Sequence, residues 1–316
     1  MTSTIDTPEG VVNRPAALRD QQTTLNGCDW SLSSSLSSSL QLQGPVQSAV
    51  VLLLHGTGGA RSSWAPVIEA LPAGLVVVAP DLPGHGKTRC QRHGRHGLEA
   101  MADDVRGLLV GMGLARVDLV VGHSAGAAVA LRLALSAGQP GNPAIGAVLG
   151  IAPSLVPPPA LYRLSLGPLL APLLTSMPSA AAAALIARNT SLVDVLLAST
   201  GSQISPTQAK AYRALLADPM HVKGALDFMA ATDLPALLAA LDHGQALPDM
   251  PCEFLLAPDD HWIPQRALEP IIAEHLPSAI IHHCTGGHLL PESQPQHVAQ
   301  LIEALIARAC ANGIGR

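Results

Sequence analysis

The sequence predicts an α/β protein: a mostly parallel central sheet with helices on both faces and one inserted helical segment. Three observations predict it. Short apolar runs recur at Ala49–Leu54, Leu75–Ala79, Asp118–Val121 and Ala144–Ile151, the pattern of strands buried on both faces. Helix-like segments separate them, so the order is β, α, β, α, β, α, β, which right-handed crossovers turn into a parallel sheet. After Pro153 this alternation gives way to proline-punctuated helical sequence, and it resumes at Cys252.

Each element has its own justification. Residues 1–22 are polar and read as an N-terminal arm. In Thr23–Gln43, Leu32, Leu36 and Leu40 suit both a helix face and a strand face; the serine-rich context favours the strand, with a low-complexity linker as the alternative. The first long strand, Ala49–Leu54, ends in His55-Gly-Thr-Gly-Gly59, and Ser63-Trp64 opens a helix to Leu71. Leu75–Ala79 leads into Pro80-Asp-Leu-Pro-Gly-His-Gly86, and Leu98–Met112 is an amphipathic helix. Asp118–Val121, Gly122-His-Ser-Ala-Gly126 and Ala127–Leu135 read as strand, sharp turn and buried helix. Residues 153–251, entered through Pro157-Pro-Pro-Ala160, form the expected helical cap, leaving 23–152 and 252–316 as the core. Within the second core piece, Cys252–Ala257 and Ala279–His283 are strands, and Gln265–His275 and Gln296–Ala311 are helices.

Composition narrows the function. Hydrophobic residues make up 48% of the 316 and charged residues 13%, so a large core is feasible; with 2% aromatics, alanine, leucine and valine must fill it. A formal net charge of -5 argues against nucleic acid as a partner. Cys28, Cys90, Cys252, Cys284 and Cys310 are odd in number and widely spaced, which reads as reduced thiols in a cytoplasmic protein. Met1–Leu18 has no apolar signal region. The most lipid-like stretch, Leu164–Leu185, is cut by Pro168, Pro172 and Pro178 into pieces too short for a transmembrane segment, leaving peripheral membrane contact open.

The chemistry centres on Ser124. A serine at the apex of a strand–turn–helix needs a strained backbone, and glycines at 122 and 126 let neighbouring backbone come close. Its hydroxyl needs a base, and the base an orienting acid. His288 follows a strand and two glycines. Asp260, four residues before Pro264, is the expected acid, with Asp259 the runner-up. Backbone N–H groups of Ala125 and Thr57, or Gly58 in place of Thr57, would receive an oxyanion. His123 reads as structural. Arg89, Arg92, Arg95 and Trp262 could line a substrate rim, although a solvated basic loop is the plainer reading of Lys87–His96. Cys90, His93 and His96 lack a fourth ligand, so no metal site is expected. No cofactor motif is present either; Gly56–Gly59 lacks the Lys-Ser/Thr of a phosphate loop.

Taken together, Leu54-His-Gly-Thr-Gly, Asp81-Leu-Pro-Gly-His-Gly86, Gly122-His-Ser-Ala-Gly126, Asp260-x-x-x-Pro264 and Gly287-His288 resemble the α/β-hydrolase superfamily. Within it, Ser199-Thr-Gly-Ser202 and His221-Val-Lys-Gly-Ala-Leu-Asp-Phe-Met-Ala230, running into Asp233-Leu234, resemble the magnesium-chelatase accessory family of bacteriochlorophyll biosynthesis. The superfamily resemblance implies the α/β-hydrolase fold and a Ser124–His288–Asp260 triad acting on an ester-like bond. The narrower one implies a role near tetrapyrrole pigment synthesis, with magnesium chelatase as a partner but no defined substrate; the apolar cap suits a large, apolar small-molecule substrate such as a porphyrin ester. Two alternatives stand beside the hydrolase: a porphyrin-binding or chelatase-accessory protein that retains the triad, and a haloperoxidase- or carbon–carbon hydrolase-like reaction on the same residues.

Overall fold

In the computed structural model of the chain, residues 18–36, 48–91, 96–156, 171–242, 247 and 250–311 are described. Among them nine strands form one sheet. Its order is β1 (Arg19–Leu25), β2 (Cys28–Ser34), β4 (Val76–Pro80), β3 (Val50–Leu54), β7 (Leu119–His123), β9 (Val148–Ile151), β10 (Cys252–Leu256) and β11 (Ile280–His283), with β5 (Arg89–Cys90) against β2. Every pairing from β4 to β11 is parallel, as the alternating sequence predicts. The β1–β2 hairpin is antiparallel and joins β4 antiparallel. A separate short pair joins β6 (Arg116–Val117) to β8 (Ala144–Ile145).

Alternate residues of β3 enter opposite cores, as the twofold period of a strand requires. Leu52 and Leu54 join α2 (Leu98–Gly111) and α3 (Ala125–Ala134). Val51 and Leu53 join α1 (Ala65–Ala70) and α12 (Pro295–Ala311) on the other face. β10 and β11 are linked by α10 (Gln265–His275), and α11 (Leu290–Ser293) precedes α12.

The insertion between β9 and β10 contains α4 (Ala171–Leu174), α5 (Met177–Asn189), α6 (Leu192–Ser199), α7 (Pro206–Leu216), α8 (Pro219–Ala231) and α9 (Leu234–Asp242), with no strand among the described residues. Its prolines start helices more than they break them. Pro178, Pro206 and Pro219 occupy first-turn positions, where a missing N–H costs nothing. Ser176, Ser205 and Asp218 cap the same three helices. The later helices sink Phe228, Leu234, Leu237 and Leu241 into the main core. The earlier ones leave Leu185, Ile186, Leu192, Val195 and Leu196 exposed. No single helix among the described residues is long and apolar enough to cross a membrane; two bent pairs, α5 with α6 and α8 with α9, reach that length and composition only together.

Three expectations are corrected. Arg19–Gln22 are not part of an arm but the first half of β1; the segment is polar because it is an edge strand with exposed and half-buried positions, and residues 1–17 lie outside the described residues. The apolar run Ala144–Ile151 is two strands, broken where a side chain on Gly146 would meet the Asp118 carbonyl at 2.6 Å. Cys28 and Cys90 are register partners of β2 and β5 and form a disulfide, so the thiols are not all reduced. The cytoplasmic assignment loses the support it drew from them. The strand expected in the serine-rich segment is present to Ser34, with Trp30 and Leu32 buried; residues 37–43 lie outside the described residues.

Candidate active site

The turn at the end of β7 is forced by its residues. Ser124 has φ 53° and ψ -120°, a conformation that costs of order 1–3 kcal/mol in a non-glycine residue. The surroundings hold it there. Its N–H donates to Ile151 O at 2.9 Å, and its carbonyl accepts from Ala127 and Ser154 N–H, each at 3.0 Å. A side chain on Gly122 would lie 2.3 Å from Gly126 O, and one on Gly126 would lie 2.3 Å from Leu54 O. Gly122 thus lets the strand close onto the first turn of α3, and Gly126 lets that turn pack against the end of β3.

The loop after β11 brings His288 over the sheet edge. Its Nε2 lies 3.0 Å from Ser124 Oγ, and its Nδ1–H donates to Asp260 Oδ2 at 2.8 Å. The second carboxylate oxygen, Asp260 Oδ1, accepts from Trp262 N–H and Ile263 N–H, both at 2.8 Å. With Nδ1 protonated by this arrangement, Nε2 is free to accept the serine proton. His288 and Asp260 are buried. Asp259 does different work: it accepts from Gly286 N–H at 3.0 Å and Gly287 N–H at 3.1 Å, bracing the loop that carries His288. His123 donates from Nε2 to His288 O at 2.8 Å, and burial pushes its imidazole down to about 3, so it is a neutral prop.

The two expected N–H donors flank the serine. Ala125 opens α3, so its N–H has no helical partner. Thr57 follows Gly56, where a side chain would come 2.9 Å from Ser124 Cβ. Among the described residues, neither Ala125 N–H nor Thr57 N–H donates to another backbone carbonyl. Of the rim residues, Trp262 sits against His288 with ring centroids 5.3 Å apart, and its indole N–H donates to Ser199 Oγ at 2.9 Å. Arg89 is turned onto its own loop, donating to Gly86 O and Thr88 O and pairing with Asp218 at 3.3 Å. Arg92, Arg95 and His93 lie outside the described residues.

Sequence reasoning passed over two buried polar groups beside the site. His55, His85 and His221 stack edge to face at 5.3 and 5.5 Å. Burial drives all three below the usual imidazole range, His221 to about 4. Glu292 accepts from Tyr212 O–H at 2.7 Å, and burial raises its carboxyl to about 7. The available signal was weak: single histidines scattered in sequence, and one glutamate four residues after His288.

The geometry has counterparts among known proteins. A family model described as "Alpha/beta hydrolase family" matches residues 51–301. The "Magnesium-chelatase 30 kDa subunit" of Rhodobacter capsulatus is 36% identical over 254 residues, covering 79% of this chain and 84% of that one. Among solved structures, an alpha/beta hydrolase fold protein from Burkholderia ambifaria has a TM-score of 0.70 at 19% identity, covering 91% of this chain and 98% of that one. Epoxide hydrolase CorEH has a TM-score of 0.68 at 20% identity, covering 92% and 99%. These two likenesses speak to the fold alone. The length of the family match, the parallel sheet and the elbow agree, and the chain belongs to the alpha/beta hydrolase family.

Proposed function

We propose that this protein is a serine hydrolase in which Ser124 is the nucleophile, His288 the general base and Asp260 the residue that holds His288 in its reactive tautomer. The observation that carries the proposal is the unbroken hydrogen-bond line from Ser124 Oγ through His288 to Asp260, at 3.0 and 2.8 Å. Ser124 Oγ attacks an ester carbonyl while His288 Nε2 takes its proton. The carbonyl oxygen, now an anion, receives the N–H groups of Thr57 and Ala125. The C–O bond breaks, and the leaving alcohol takes the proton from His288. Water then attacks the acyl-serine, giving up a proton to His288, and the acid is released with Ser124 restored.

The substrate reading is an apolar ester of tetrapyrrole type in bacteriochlorophyll synthesis, worked on beneath the helices of 153–251 acting as a cap. What supports it is the relative named as a magnesium-chelatase subunit. That name equally favours a second reading: an accessory protein that holds a porphyrin for magnesium chelatase and does not turn it over. The two separate in one experiment. Protoporphyrin, its magnesium form and their methyl esters are titrated by visible absorption, and ester cleavage is followed by chromatography. Cleavage lost in Ser124→Ala supports the hydrolase. Saturable binding, equal in Ser124→Ala and without cleavage, supports the accessory role.

A further inference from the structure

One motif singled out in the sequence remains unused by the chemistry above: the stretch beginning at His221, in α8 of the insertion. His221 is wholly buried and bonded at both ring nitrogens. Gly86 N–H donates to Nδ1 at 2.9 Å, which fixes the proton on Nε2. Nε2–H then donates to Gly58 O at 3.2 Å.

That acceptor matters because of what lies beyond it. In a trans peptide the C=O and N–H point in opposite directions from one rigid plane. Holding Gly58 O therefore orients Gly59 N–H, which donates to Gly56 O at 3.1 Å. Holding Gly56 O orients Thr57 N–H in the same way. His55 Nδ1 donates to the same Gly56 oxygen at 2.8 Å, with its Nε2 accepting from Leu82 N–H at 2.9 Å. The line thus runs from the His221 imidazole through two peptide planes to Thr57 N–H. Gly58 has φ +77°, so the turn that makes this possible is one only glycine adopts without strain.

We propose that His221 is a positioning residue of the insertion that aims the Thr57 N–H at the reacting oxygen. The inference rests on the serine-hydrolase reading for its kinetic consequence, but not for its structural one. It makes oxyanion stabilisation depend on the insertion being seated. Each bond in the line polarises the next, so the terminal donor is strengthened as well as oriented.

The test uses the full chain and two substitutions. His221→Asn keeps an acceptor for Gly86 N–H but is too short to reach Gly58 O. His221→Gln offers an acceptor and a donor spaced much as the two ring nitrogens are. Loss of a whole oxyanion donor costs about 10²–10³-fold in kcat, so misaiming one is expected to cost about tenfold. With p-nitrophenyl esters as probe, His221→Asn should lower kcat about tenfold with KM within about twofold, and His221→Gln should restore most of it. Amide hydrogen exchange of the peptide spanning residues 50–64 should speed up in His221→Asn and not in His221→Gln. Wild-type kcat and wild-type exchange in His221→Asn would overturn the proposal, as would equal damage by both variants. If the wild-type protein cleaves no ester, the hydrolase reading fails by itself, and the exchange comparison still decides the positioning role.

Discussion

The core and the insertion are held by different proportions of apolar burial and polar contact. β3 buries all five of its side chains, and each face of the sheet carries its own apolar cluster. The insertion's separate cluster consists of Ala180, Ala184 and Val222, and α7 buries none of its residues. What seats the insertion is the burial of Phe228, Leu234, Leu237 and Leu241 in the main core, together with a set of close polar and backbone contacts. A side chain on Gly224 would fall 2.0 Å from Gly84 O, and one on Gly201 would fall 2.3 Å from Asp259 O. His288 N–H donates to Thr200 O at 2.9 Å, and Leu289 N–H to Ser202 Oγ at 2.8 Å. Tyr212 reaches Glu292, and His221 reaches Gly58. The core is thus held by apolar area on both faces of the sheet, and the insertion by the apolar side chains of its later helices plus docking contacts at a few points. Those points fall on the segments that follow β3, β4, β10 and β11.

This contrast can be broken or sharpened by substitution. The largest effect is expected at the core's carboxylates. Asp260→Asn should lower kcat by about 10³–10⁴-fold, because the amide favours the wrong His288 tautomer. Asp259→Ala, which removes only a loop brace, should cost far less. Steady-state kinetics on one ester checks both, and equal losses would show that the acid was misassigned.

Next come the seams. Gly224→Ala should cost about 1–3 kcal/mol, the usual penalty of forcing atoms into a filled space. Limited proteolysis should then cut first within the insertion while the core fragment persists. Loss of both parts together would mean that they fold as one unit.

Glu292 gives a pH-dependent signature of the docking. Its carboxyl is raised to about 7 by burial, above the ordinary value of 4.5, so the native state holds the proton more tightly than the unfolded chain. Its contribution is fully present below pH 4.5 and is lost as pH rises through about 7, by at most roughly 3 kcal/mol. Glu292→Gln should flatten the melting temperature across that window. The buried histidines act in the opposite sense: with His221 lowered to about 4, its contribution is present above 6.5 and is lost as pH falls through 4. An unchanged pH profile in Glu292→Gln would remove Glu292 from the docking account.

The smallest effect is expected on the outer face of the insertion. Leu185 is 61% exposed, so Leu185→Lys should change stability by less than about 0.5 kcal/mol. A larger loss in chemical denaturation would reveal packing that the fold does not assign to it.

The same division explains what was legible in the sequence. The elbow could be read because its glycines are required by backbone contacts within one short segment. The parallel strands could be located along the chain because buried parallel strands are continuous apolar runs. β1 could not, since Arg19-Asp-Gln-Gln-Thr-Thr24 is an edge strand with a polar surface. The Cys28–Cys90 bond escaped because 62 residues separate its partners and only the β2–β5 register brings them together. Asp260, the acid expected from the turn spacing, lies within hydrogen-bond distance of His288, whereas the contacts of Asp259 with Gly286 and Gly287 carried no sequence signal. His221, Thr200 and Tyr212 escaped for a common reason: docking points carry no periodicity. Yet His221 and Thr200 lie inside the two motifs on which the resemblance to the magnesium-chelatase accessory family rests.

The central claim, that Ser124 is an activated nucleophile, is tested most directly by an organophosphonate probe followed by peptide mass spectrometry. The account predicts stoichiometric labelling on the peptide containing Gly122-His-Ser-Ala-Gly126, abolished in Ser124→Ala and slowed in His288→Ala. A folded wild-type protein that stays unmodified, or is modified on another residue, contradicts it.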